Sequence, residues 1–347
     1  MGILWFCLVA VMITMYVLLD GFDLGAGAIH FLVAKTTEER RQVIAAIGPV
    51  WDGNEVWLLA AAGTMYFAFP SLYASGFSGF YLLLMIVLWL LILRGTSIEF
   101  RNHVGGEVWT PLWDFLFCAT SLLLPVCYGV ALGNVVRGVP LDGSGYFFEP
   151  LWTNWRLGEE TGLLDWYTVL VGVVALTALV MHGALWLQMK TTSVVNEHAG
   201  RLARWAWWGV VSLTVIVTLV TFVVQHRVRT NLSTWPWGFV FPLLAVGGLA
   251  GVRWNLARKN EANTFFASCV YLGGMVTSAV FGVYPMVLPA RDSVHSLTVD
   301  SAKAGAYGLK IGLVWWAIGM ILVALYFLIV YRSFVDKVVA EPDLRER

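Results

Sequence analysis

Eight times along this chain the side chains stay apolar for about the length that carries a helix across a bilayer, and this constrains the fold more than any other feature. A hydrocarbon core takes roughly 20 apolar residues as a helix, and such stretches lie near 3 to 33, 72 to 93, 113 to 136, 164 to 189, 205 to 225, 237 to 257, 264 to 287 and 306 to 331. In lipid every backbone N–H and C=O needs a partner within the protein, and segments of this length meet that need as helices. A shorter apolar segment, Glu55 to Phe69, starts after Pro49 and Asn54 and stops at Pro70, residues that punctuate helices. The predicted class is therefore an all-α, polytopic integral membrane protein of about nine transmembrane helices. Two four-helix bundles plus one helix, all within a single domain over 1–347, are the expected arrangement. Composition agrees, with 59% hydrophobic and 13% charged residues, against roughly 25% charged in soluble domains.

Orientation follows from the basic residues. Lys35, Arg40 and Arg41, then Arg94 and Arg101, then Lys190, Arg201 and Arg204, then Arg253, Arg258 and Lys259, and finally Arg332 and Lys337 all fall on one side if nine helices cross. Excess Lys and Arg mark the cytoplasmic side. The long loop after Arg137 carries Asp142, Glu149, Glu159 and Glu160 with Arg156, and is placed outside. Arg227 and Arg229 run against the rule. Eight crossings would set the Lys35 to Arg41 loop opposite the other basic loops, so nine is preferred, with the N-terminus outside and the C-terminus cytoplasmic. The first apolar stretch has no basic leader and exceeds the apolar length of a signal peptide, so it is expected to remain as a span.

Several function classes fall away. The formal net charge is zero and no Lys or Arg run could form a phosphate groove, which argues against nucleic acid. Cys7, Cys118, Cys127 and Cys269 form no C-x-x-C pair and are read as small core residues. There is no Walker loop, no dinucleotide glycine fingerprint after a strand and no H-E-x-x-H.

The polar residues inside the spans are more informative. Asp20 and Asp23 lie three residues apart within Leu19 to Gly27, so they share one helix face. Acids at membrane depth are costly and functional by default. The alternative is that Gly21, Gly25 and Gly27 admit a neighbouring helix and the acids simply bond to polar backbone. At 1.5 Å per residue Asp20 lies about 25 Å from the outer end, towards the inner half. A second polar knot, Ile47 to Trp57, holds Asp52, Asn54 and Glu55. Asp52 and Glu55 have the spacing of a capping box, and an acid at the water–lipid boundary can equally carry a proton. Arg94, Glu99, Arg101 and Asp114 lie on the same inner side, each alone a plausible solvated or salt-bridged interface residue. Together, Asp20, Asp23, Asp52, Glu99 and Asp114 put five acids on the inner side of the first four spans. Chains of carboxylates and trapped water move protons, because each can hold a proton neutrally in low dielectric and pass it on. A proton inlet at the inner face is the reading.

The six histidines are His30, His103, His182, His198, His226 and His295, and no span holds two of them. Haem or haem–copper centres require facing or crowded imidazoles. No haem and no metal is expected to be ligated by this chain, and any redox chemistry must be shared with a partner.

The motifs resemble the second subunit of cytochrome bd-type quinol oxidases over almost the whole chain. The strongest pieces are Asp20-Gly21-Phe22-Asp23 with Gly25 and Gly27, and Gly48 to Leu58 around Trp51-Asp52-Gly53-Asn54-Glu55. Weaker pieces follow in order, among them Phe77 to Tyr81, Glu99-Phe100-Arg101, Trp113-Asp114, Gly129 to Asn134, Leu187 to Thr191 and Tyr284 to Pro289. The resemblance implies a terminal oxidase in a prokaryotic cytoplasmic membrane that oxidises quinol and reduces dioxygen to water. It places haems b558, b595 and d, with the quinol site, in a partner, the haem-bearing subunit I of a heterodimer. It further implies that this chain braces that partner and supplies part of a cytoplasmic proton path. Asp52 matches the family's proton-path aspartate, while Asp23, Arg94 and Asp114 match polar positions nearby. A structural quinone between helices and a small accessory subunit are compatible with it. Glu99 stands where some members have aspartate, and Glu55 where some have glutamine. The competing readings are a stand-alone proton-coupled transporter, which would also need buried acids and glycine-broken helices, and a purely structural scaffold.

Overall fold

A computed structural model describes residues 1–101, 106, 108–158 and 161–339; His103, Glu159 and Glu160 lie outside the described residues. The principal helices are α1 (Gly2–Ala28), α2 (Trp51–Ala68), α3 (Tyr81–Phe100), α4 (Trp109–Arg137) and α5 (Trp166–Lys190). They continue with α6 (Ser193–Val224), α7 (Val240–Ala257), α8 (Glu261–Val283) and α9 (Ala306–Ser333). Among the described residues, eight helices are long and apolar enough to cross a membrane, namely all of these except α2.

The α2 helix has 18 residues, about 27 Å at 1.5 Å per residue. At its start Asn54 accepts a hydrogen bond from Tyr331 near the end of α9 at 3.0 Å. At its end the Ala68 carbonyl accepts from the Ala304 amide, just before α9 begins, at 2.9 Å. It therefore runs antiparallel to α9, so nine long helices lie side by side, in keeping with the expected number of about nine.

Helices α1 to α4 pack as one group and α5 to α8 as a second, joined where α1 and α4 meet α5, and α9 stands at the edge. The joint depends on glycine. A Cβ at Gly25 would lie 1.9 Å from the Leu179 carbonyl oxygen, and one at Gly183 would lie 2.3 Å from the Ala26 nitrogen. Backbone touches backbone there, the close approach that small residues permit between membrane helices.

Several boundaries differ from the sequence expectation; α6, for one, begins at Ser193 rather than near 205. The first span ends at Ala28, and the short helix His30–Val33 follows separately. The stretch predicted at 72 to 93 is divided: Pro70–Gly79 forms its own helix and the crossing begins at Tyr81. Pro70 starts a helix readily because its missing N–H would have no partner at that position. Ser75 donates to the Gly145 carbonyl at 2.6 Å, which holds this piece in the loop layer. At the other end α3 continues past Leu93 to Phe100, because the Arg94 charge is met inside the protein.

The two ends of the bundle differ. At one, Gln42 donates to the Val338 carbonyl at 2.7 Å, the Val338 amide donates to Lys190 at 2.7 Å and Lys337 pairs with Glu261 at 2.5 Å. The basic connections are thus gathered together. At the other, Glu149 is fully buried between Arg137, at 2.7 Å, and Arg291. Arg137 also pairs with Asp165, which caps α5 through the Tyr167 and Thr168 amides, satisfying free donors of the helix start.

Candidate functional site

The basic end holds two polar clusters inside the first helix group. In the first, Asp20, Asp23, Asn54 and Arg94 are each 0% exposed. Asp20 and Asp23 share the inner part of α1 but address different helices. Arg94, on α3, lies 2.7 Å from Asp20 and 3.6 Å from Glu55, on α2. Asn54, also on α2, donates to Asp23 at 2.7 Å and accepts from Tyr331. One buried guanidinium therefore faces carboxyls from two helices, with a third beside them. Burying an unpaired charge is costly, and here three carboxyls share one guanidinium. Asp20 Oδ2, Asp23 Oδ1 and Arg94 Nε are buried with no hydrogen-bond partner among the described residues. Buried polar atoms of that kind are ordinarily satisfied by ordered water.

Asp52 sits exposed in the first turn of α2. The capping box does not form: the helix begins at Trp51, Val50 holds the cap position without a side-chain bond, and the Glu55 side chain turns to Arg94 instead. Asp52 is left at the positive end of the helix dipole, which favours a carboxylate. Glu55, one turn further on, is 24% exposed and lies between Asp52 and the buried group.

The second cluster centres on Asp114, 1% exposed. His30 Nε2 lies 3.0 Å from it, Arg101 grips it directly and Arg40 lies at 3.6 Å. Here the bases outnumber the acid, the reverse of the first cluster, and the geometry is that of an anchored ion pair. Glu99 is exposed at the end of α3, lining a cleft of about 390 Å³ with Arg41, Trp51 and Gly48. A second cavity at this end, of about 230 Å³, is lined by Pro49, Trp186, Lys190, Tyr331 and Asp336 among others. Tyr331 thus stands between that cavity and Asn54.

Of the residues singled out in the sequence, the structure unites Asp20, Asp23, Asn54, Glu55 and Arg94. It sets Asp52 at their margin, and Asp114 and Glu99 apart. Sequence reasoning missed Tyr331, an aromatic within an apolar run, for which no sequence signal exists. It also missed His30, Arg40 and Arg101 as the partners of Asp114.

Haem is poorly served by these residues. His182 has Nδ1 on Ser268 at 2.7 Å and Nε2 on the Leu18 carbonyl at 2.9 Å, and its ring stacks on Phe265. His30 gives Nε2 to Asp114 and lies against Phe31 and Phe117. They do not make an axial pair.

Fold and site define a polytopic helical membrane protein with a buried acid–base network near one end of its first helix group. The profile of the family described as "Cytochrome bd terminal oxidase subunit II" matches residues 1–334. The "Probable cytochrome oxidase subunit 2" of Haemophilus influenzae is 31% identical, over 96% of each chain. The "Cytochrome bd ubiquinol oxidase subunit 2" of Bacillus subtilis is 30% identical over 89% of this chain and 88% of its own. A chain of the bd oxidase from Geobacillus thermodenitrificans shares the fold, with a TM-score of 0.75 and 16% identity over 96% of this chain and 98% of that one. The chain belongs to the cytochrome bd terminal oxidase subunit II family. It is a subunit of a haem-containing membrane oxidoreductase with a partner subunit, and the stand-alone transporter is set aside.

Proposed function

We propose that this chain carries protons from the cytoplasmic face into an oxidase that oxidises quinol and reduces dioxygen to water, while bracing a haem-bearing subunit I as its heterodimeric partner. The observation that carries the reading is the single buried guanidinium of Arg94 set among Asp20, Glu55 and the nearby Asp23. A group with more acids than bases stores and releases protons at low cost in charge. Asp52 takes the proton at the surface, Glu55 passes it inward past Arg94, and Asp20 and Asp23 hold it. Glu99 gathers protons at the cleft mouth, and Asp114 anchors the inner ends of α3 and α4 against the Arg40 loop.

The N-terminus lies outside and the C-terminus in the cytoplasm, as the gathered basic connections favour, and 1–347 acts as one domain. Haems b558, b595 and d reside in the partner. A structural quinone suits the apolar cluster of Met12, Tyr16, Trp57 and Ala61 with Trp316. The indole N–H groups of Trp57 and Trp316 are buried there without an acceptor among the described residues, and would donate to quinone carbonyls. A small accessory subunit would take an exposed apolar face such as that of α9.

Asp52→Asn in the assembled, fully haem-loaded complex tests the reading. Turnover and proton uptake should fall together. Unchanged turnover and uptake would refute the path and leave the scaffold reading.

A further inference from the structure

We propose that Tyr16 and Tyr128 form the outward continuation of the proton route, taking protons from Asp20 towards the middle of the membrane as a paired hydroxyl relay. The inference rests on the route proposed above and adds its next two members.

Tyr16 stands four residues before Asp20 on α1, so the two lie on one face a turn apart, about 6 Å along the axis. Helical side chains lean towards the N-terminus, which tilts the Asp20 carboxyl towards the turn that carries Tyr16. The Tyr16 hydroxyl donates to the Tyr128 hydroxyl, on α4, at 2.8 Å, with the rings edge to face at 5.6 Å. Tyr16 is 5% exposed, and Tyr128 is half-buried. Asp20 keeps one buried oxygen, Oδ2, without a hydrogen-bond partner among the described residues.

Packing alone does not call for these hydroxyls. The pair sits beside an apolar cluster of Met12, Trp57 and Ala61, where two phenylalanines would fill nearly the same volume. Replacing both members of a buried hydrogen bond by apolar groups is close to neutral.

Each phenolic hydroxyl can both donate and accept, so the pair can hand a proton on. A proton from Asp20, passed through water, binds the Tyr16 oxygen as the Tyr16 O–H proton moves to the Tyr128 oxygen. The original Tyr128 proton then passes to a water molecule at the part-exposed side of Tyr128. Each oxygen ends with one proton, neither tyrosine retains a charge, and rotation of the two hydroxyls resets the pair. Both residues position a proton and neither touches the reacting oxygen.

The test uses the full haem-loaded complex with Tyr16→Phe and Tyr128→Phe beside Asp52→Asn. Each phenylalanine variant should lower turnover and proton uptake into proteoliposomes several-fold and enlarge the D2O isotope effect, with haem content unchanged. The double variant should be no slower than the slower single, as expected of two members in series. Parent-like turnover and isotope effect in both single variants, with Asp52→Asn slow, would overturn the relay while the inlet stands. Parent-like turnover in all three would remove both. If Tyr16→Phe disturbs folding, Tyr128→Phe on the opposing helix decides the same question.

Discussion

Replacing Arg94 by glutamine probes the buried network most directly. Arg94 and Asp20 are both wholly buried, 2.7 Å apart. Removing one partner of such a pair costs about 3–5 kcal/mol, because the remaining charge is left uncompensated. That corresponds to roughly a hundredfold to a few thousandfold in the ratio of folded to unfolded protein. Glu55 adds little, since it is part-exposed and 3.6 Å away, where solvent screens the pair. Asp20→Asn in the same background should recover most of the loss, because two neutral amides can bond to each other and to water. The assay is a double-mutant cycle on the thermal unfolding of the purified complex, with haem retention followed in parallel. Strict additivity of the two substitutions would refute the argument that the cost lies in an orphaned Asp20 charge.

Two further outcomes are expected. Burial pushes the Glu149 carboxyl up to about 7 from its ordinary 4.5, against the pull of Arg137 and Arg291. A carboxyl that binds its proton more tightly in the folded chain contributes stability that is present below about 4.5 and lost as pH rises to about 7. Hydrogen exchange in the loop joining α4 to α5 should therefore quicken over that interval, and Glu149→Gln should flatten the profile; an unchanged profile would count against it. Gly25→Val should prevent assembly of the complex, because its side chain would meet the Leu179 carbonyl, whereas Gly63→Val, with open space around its Cβ position, should assemble normally and be recovered at parent yield.

The spans were legible because hydrophobic length is a property of the chain taken in order. Even α2 could be found from Pro49, Asn54 and Pro70, although its apolar run is short. The division of the 72 to 93 stretch was not legible: the apolar character continues through it, and only the bond from Ser75 to the Gly145 carbonyl assigns its first half to the loop layer. Within the site, Asp20 and Asp23 were visible as misplaced acids, and the spacing of Asp52 and Glu55 was read as a capping box. That reading failed because the helix begins at Trp51, with Val50 rather than Asp52 at the cap position, and Glu55 faces Arg94 on another helix.

The sequence by itself determined that the chain crosses a membrane as helices, that its long helices number about nine, and that its acids concentrate near one end of the first four. These follow from apolar length and from the order of charges, both read along one dimension. Only the tertiary structure decided which acids act together. Arg94 selects Asp20 and Glu55, while His30, Arg40 and Arg101 hold Asp114 apart. Tyr331 reaches Asn54 from 277 residues away. A buried charge is governed by whatever lies within a few ångströms, and in a helical bundle those neighbours come from other helices whose register no local pattern records.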